Sequence, residues 1–578
     1  MDVQVPVMVQ DQLTAEQEGM APTEPVTIKS EDMFLDGPIS RRVAVLDFDT
    51  ATGALLPGAR FIRPTRRGKA GSYEVRQPDD LQARDFNQVS VFGTVLHTMA
   101  MYEEDDTLGR RVSWAFGAPQ LLVVPRAGIM ANAFYERDSH SLQFFSLAAG
   151  TAAGVIHSSL SHDIVSHETG HAVLDGVAPG LYDAVTPQSL ALHEAVADLT
   201  QMVMSARSRI LRKTVLDRTG GSIKDVTAFT AVAEAFGRGC DPQGRQGFLR
   251  LLLNDRTLDP DDHSISARDG RPNLVSRAEP HDLSEVLTGA LYTVMVQVHE
   301  ARKRAIMEAE NTTEFSASGK ALFIAAEQFK RMAFRALDYL PPGEVSFADY
   351  GRAIIAADQA SHPDSAEGRE RIREEFAKRH MAPSKEVLDV PVDPEPPAMK
   401  GLDLQALVAG DWAAYDFANR HRDLLHIPAD VPFRVWPRLD VTRLDYHRGG
   451  QKAHLRECIF KVSWDQVEEN DLGARFDRRR RVTVGTTLAM EWPSDGGTPR
   501  VRAVLTSDRT DRPEEQEQQH QDRTQLLRRL ADADLLRMGG AAVAPDGRPL
   551  RSVVAATSAN GAMRVHGAAR MLHIVGEE

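Results

Sequence analysis

Two histidines four residues apart, with a glutamate directly after the first, constrain this chain more than any other feature. They lie in SHDIVSHETGHAVLDG, residues 161–176. On a helix, side chains four apart leave the same face about one turn from each other. His167 and His171 can therefore reach one metal ion. Glu168 then stands beside the ion's open position, where a base can take a proton from bound water. Ser161 suits an N-cap and Asp163 the positive end of the helix. Ile164, Val165, Val173 and Leu174 supply apolar packing. Taken alone, the string also reads as a helix with two surface histidines.

The next helix narrows the choice. Thr186-Pro187 is an N-cap followed by proline at the first helical position, and QSLALHEAVADLTQMVMS follows. Glu194 and Asp198 are four apart on one face. A catalytic zinc site needs three protein ligands, an open position, and an outer acceptor that fixes a histidine tautomer. Glu194 is the expected third ligand and Asp198 the expected acceptor. The expected cofactor is one Zn²⁺ per chain. The plainer reading of the acidic pair is a solvated helix face.

Composition removes other classes. The net charge of -14 and a pI near 5.8 argue against nucleic acid or an anionic membrane as a partner. The two cysteines, Cys240 and Cys458, are far apart, which excludes a disulfide framework and a cysteine-based metal site. The N-terminus has neither a basic start nor an apolar core, and the longest apolar stretch, 144–156, is broken by glycines and a serine. A cytoplasmic protein is the expectation.

The expected fold class is α+β. Residues 1–40 are polar and proline-dotted and read as a flexible tail. Residues 41–156 read as a β-rich lobe, with strands at 43–49 and 120–125, a strand pair over 131–145 and a helix near 87–103. Residues 157–385 read as a helical lobe, with helices at 162–175, 187–206, 282–309, 318–338 and 346–358. Residues 386–402, including PVDPEPPAMKG, read as a proline-rich linker. Residues 403–578 read as a separate α+β domain, with a helix over 403–426, strands at 459–464, 480–492 and 500–507, and a surface helix at 513–538. The run Arg478 to Arg481 reads as a solvated strand edge. His140, His157, His162 and His193 read as polar surface residues.

HETGHAV followed by LHEAVAD resembles the two zinc-binding helices of the thermolysin family of gluzincins. The resemblance is distant and runs over roughly residues 85–380. It implies the two-lobe gluzincin fold and several further site residues. NAFY (132–135) is similar to the family's edge strand, which implies that Asn132 and Ala133 pair with the substrate backbone. Tyr182 lies where the family has a tyrosine that assists the oxyanion. PHDLSEVLTGALY (280–292) looks like the helix bearing a transition-state histidine, here His281. GFLRLLLND (247–255) resembles the segment whose arginine binds a substrate carbonyl, here Arg250. FRALDYL and SFADYGRAIIAAD (334–358) look like the closing helical lobe. Each has a plainer reading: His281 as a helix start, Arg250 as a surface charge, Tyr182 as core, Asn132 as a cap or turn.

The chain also departs from the family. His193 stands where the family usually has an asparagine that steadies the second zinc histidine. Asp163 matches one calcium ligand, but MVMSARS (202–208) lacks the carboxylate expected further along, so no structural calcium is expected. The resemblance says nothing about 403–578, whose expected role is recognition of a protein partner. It implies a zinc endopeptidase acting on peptides or proteins. A gluzincin-fold binding or regulatory module without peptide turnover is the alternative, and an exopeptidase a third reading that lacks a visible anchor for a free terminus.

Overall fold

The structure is a computed structural model. It describes residues 2–29, 33–66, 68–77, 80–148, 155–232, 250–258, 274–275, 279–447, 451–493, 495–539 and 554–573. Cys240 and residues 247–249, next to Arg250, lie outside the described residues. The chain is mixed α+β, with helices packed among several sheets. Among the described residues, no helix is long and apolar enough to cross a membrane.

Residues 1–40 do not form the expected tail. Val3–Met8 pairs antiparallel with Thr23–Ile28 and parallel with Gly71–Tyr73. Val3, Val5 and Val7 are fully buried, because a strand sends alternate side chains to one face. That face meets the helix Arg84–Glu103, which also packs on the helix His162–Val177. Gln10 adds a polar tie: its Nε2 donates to Asp163 at 2.9 Å. The prolines that suggested disorder, Pro6 and Pro25, face each other across the strand pair.

A second sheet runs in the order Phe34–Leu35, Ile39–Ser40, Val43–Val45, Leu121–Val124, Ser141–Phe144, Ala133–Glu136. The strand Ala133–Glu136 is therefore at an edge. The helical lobe follows as His162–Val177, Pro187–Arg207, Arg209–Thr219, Pro280–Glu310, Glu314–Tyr339, Phe347–Ser361 and Glu367–Lys378. Arg209–Thr219 and Glu367–Lys378 are additions to the expected set. Both carry many charges, and the apolar stripe that marks a helix is narrow there. The expected helix over 403–426 is broken at Gly410 into Leu404–Ala409 and Asp411–Arg420, and the surface helix ends at Asp532.

The helices His162–Val177 and Pro187–Arg207 approach closely at Gly170. A Cβ there would stand 2.8 Å from Thr200 Oγ1 and 3.1 Å from Ala197 Cα. Glycine is what allows this spacing, and the spacing sets the distance from the two histidines to the next helix.

Residues 403–573 are not a separate body. The strand Lys452–Glu469 pairs with Arg438–Tyr446 and Arg479–Glu491, and Arg500–Thr506 pairs with the last of these. This sheet is joined to the helical lobe by buried charges. Arg335 lies 3.0 Å from Glu457 and 3.0 Å from Asp445. Arg443 pairs with Asp338, and also with Glu457 at 2.7 Å. Tyr339 donates its hydroxyl to Glu457 at 2.6 Å, and Lys461 donates to the Leu340 carbonyl at 2.8 Å. Arg523 pairs with Glu344 at 2.5 Å. The proline-rich stretch is docked as well: Met399 is buried, and Val501 donates its amide to the Pro394 carbonyl. In the run 478–481, Arg480 turns inward to Glu468 and Thr524, whereas Arg478 and Arg479 are exposed. Charge in a sequence marks polarity and not exposure, so paired buried ions read as a solvated surface.

Burial pushes the Glu457 carboxyl up, but Arg335 and Arg443 outweigh it and hold the group down at about 2. Its folded value lies below the ordinary 4.5. The carboxylate's contribution is therefore complete above pH 4.5 and fades as the pH falls toward 2. We expect Glu457→Gln, which leaves Arg335 and Arg443 short of counter-charge, to lower stability by about 3–5 kcal/mol at pH 7. The difference from the parent should shrink in urea titrations taken stepwise below pH 4.5. An unchanged unfolding midpoint at pH 7 would refute the structural role given to this network.

Candidate metal centre

The helix His162–Val177 starts as expected: Ser161 Oγ accepts the Ile164 amide at 3.4 Å. Thr186 precedes the helix Pro187–Arg207, but its hydroxyl donates to Ser189 Oγ at 2.7 Å and does not cap an amide. His167, His171 and Glu194 are buried, and one ligating atom from each lies within 4.8 Å of the others. The two Nε2 atoms are 3.1 Å apart. Glu194 lies 3.6 Å from each of them, through Oε2 to His167 and Oε1 to His171.

The groups behind this triad decide what it can hold. His167 Nδ1 is 3.0 Å from Asp198 Oδ1, and a proton on that nitrogen would leave Nε2 its lone pair. His171 Nδ1 meets His193 Nδ1 at 3.3 Å. If His193 accepts there, His171 also turns a lone pair inward. Two imidazole lone pairs and a carboxylate converging on one point form the donor set that zinc and related divalent ions take. His193 is buried, as is His162, so neither is the surface residue expected. Burial lowers His162 to about 3.

Arg250 lies among these groups. Its backbone is held in a short antiparallel pair, Val232 opposite Arg250. Its guanidinium donates to Glu194 Oε2 at 2.8 Å and stands 3.1 Å from Asp198 Oδ1. Burial alone would raise the Glu194 carboxyl, but Arg250, His171 and His167 hold it well below the usual range. Arg250 is thus no surface charge.

Glu168 is fully enclosed. Its Oε2 accepts the Tyr135 amide at 3.0 Å, which links the edge strand to the motif. Burial pushes Glu168 up to about 8. Tyr182 is buried, and its hydroxyl accepts the Arg137 amide at 3.4 Å. Burial raises Tyr182 to about 12, and its O–H proton remains available for donation. His281 Nδ1 lies 3.1 Å from Glu279 Oε1, and Nε2 lies 3.0 Å from the Leu572 carbonyl. Burial opposes charge on His281, but Glu279 and Glu194 raise it to about 9. The ring then donates from both nitrogens. Asn132 takes its plainer role: its Oδ1 accepts the Ala133 amide at 2.8 Å, so that N–H is already satisfied. Asp163 accepts from Gln10 and Ser205.

Asp175 and Arg137 were missing from the reading of the sequence. Asp175 lies one turn beyond His171 and accepts from Tyr135 Oη at 2.7 Å and Arg137 Nε at 2.9 Å. The Arg137 guanidinium also covers the Tyr182 ring at 4.2 Å. The signal was present as a third polar residue at helical spacing from the histidines. No family model matches this chain, and no curated protein matches it.

We expect Asp175→Ala to leave Arg137 and Tyr135 without their acceptor and to lower stability by about 3 kcal/mol. Amide exchange in Ala133–Glu136 should quicken more than in Leu121–Val124. Equal changes in the two strands would refute a local anchoring role.

Proposed function

We propose that this chain is a zinc-dependent endopeptidase with a gluzincin, thermolysin-like arrangement. The observation that carries the reading is the convergence of His167, His171 and Glu194, with Glu168 held beside them by the Tyr135 amide. When bound, zinc would lower the pKa of a coordinated water toward 7 and polarise the scissile carbonyl.

The chain's own residues supply the rest. Glu168 takes the attacking water's proton at the carboxylate and returns it to the leaving amine. His281 and Tyr182 donate to the developing oxyanion, where preorganised donors contribute most. Arg250 keeps Glu194 ionised and is the residue proposed to bind a substrate carbonyl. A module that only binds zinc has no use for Glu168, and this favours turnover over the binding alternative.

Metal analysis of protein purified without added zinc should find one zinc per chain. His167→Ala or Glu194→Ala should lower that content sharply, and full occupancy in both would sink the assignment. Glu168→Gln should retain zinc and lose roughly 10²–10⁴-fold in kcat on a fluorogenic peptide library. Cleavage by that variant at the parental rate would refute the peptidase reading.

A further inference from the structure

The strand Ala562–His566 ends in a tight turn at Gly567, and the 3-10 helix Ala568–His573 then crosses toward the candidate site. Four contacts fix it there. Gly567 donates its amide to Asp183 Oδ1 at 2.7 Å. Arg570 pairs with Asp138 and lies 4.0 Å from Glu136, the last residue of the edge strand. The Leu572 carbonyl accepts from His281 Nε2. Ala568, Ala569 and Leu572 are buried, and the segment packs against the edge strand, the helix carrying Glu194 and the 3-10 turn Pro179–Asp183. One short segment thus touches both the strand and the histidine that a substrate would use.

We propose that residues 567–572 are a plug, bound in cis against His281 and the edge strand, and that a peptide displacing it places a basic side chain against Glu136 and Asp138. The proposal rests on the peptidase reading for its rate measurement only. His281 donates to a backbone carbonyl of the segment, the kind of group it would meet in a substrate. The segment is nevertheless a poor substrate. A 3-10 turn bonds its own amides to its own carbonyls, so its backbone is not extended along Ala133–Glu136, whose Ala133 and Tyr135 amides already bond Asn132 and Glu168. It covers the site without presenting a bond for cleavage. The guanidinium of Arg570 is the charged anchor, and two carboxylates receive it.

The test uses the full chain with Arg570→Glu and Leu572→Asp combined, and Arg570→Ala alone as a milder variant. A melting curve and hydrogen exchange check that the rest of the protein is intact and that 568–572 has loosened. Hydrolysis of a short fluorogenic peptide should rise at least tenfold in kcat/KM in the double variant and less in the single one. A synthetic peptide of residues 562–573, added in trans, should inhibit the double variant, and its Arg570→Glu version should not. Zinc extraction by 1,10-phenanthroline supplies a readout that needs no turnover, and it should be several-fold faster in both variants. If no protein cleaves peptide but extraction quickens, the plug stands and the peptidase reading falls. Unchanged hydrolysis together with unchanged extraction would overturn the plug.

Discussion

The contact between Gly170 and the helix face at Ala197 and Thr200 governs the site. Two helices that met through larger side chains would sit further apart, as helix axes usually do when bulky residues meet. Here Glu194 comes within 3.6 Å of both imidazoles. The same approach sets Asp198 behind His167 and His193 behind His171. Each histidine then has a second group behind its Nδ1, and this orients the two Nε2 atoms toward one point. Tyr102 reinforces the seam by bonding Thr200 from the third helix. The convergence of His167, His171 and Glu194 and the packing of the two helices are therefore one property of this chain.

The cluster of His167, His171 and Glu194 was legible in the sequence because helical spacing is a strong geometric rule. His167, His171, Glu194 and Asp198 each fall where a period of 3.6 puts them. The edge strand Ala133–Glu136 was legible from its alternation and the turn that follows it. Other contacts were hidden because they join residues far apart in the chain. Nothing local in Arg335 or Glu457 tells that they meet in the interior. Residues 391–401 read as a joint because proline marks irregular backbone, and irregular backbone can be packed as firmly as a helix. Val3, Val5 and Val7 did carry a period-two signal, but Pro6 and the polar neighbours masked it.

The ions at the junction explain why the C-terminal sheet cannot act as an independent attachment. Asp338, Arg443, Glu457 and Arg335 are buried together, and separating the two parts would strand charges of both signs in apolar surroundings. Such networks add little net stability over apolar packing, but they penalise any misplaced partner heavily. They fix where the sheet sits, and through it the course of the strand Ala562–His566 and the turn at Gly567. Leu572 reaches His281 because the junction is held in register.

That junction also bears on how the protein is made. Glu457 follows Tyr339 by 118 residues. At roughly 5–20 residues per second, a ribosome needs about 6–24 s to cover that distance. Throughout that interval the helices that carry His167, His171 and Glu194 are already synthesised, while Arg335 lacks Asp445 and Glu457 and Asp338 has Arg110 but not Arg443. Burying Arg335 before the sheet arrives would leave its charge uncompensated, which is costly. Residues 567–572, which meet His281 and the edge strand, come later still.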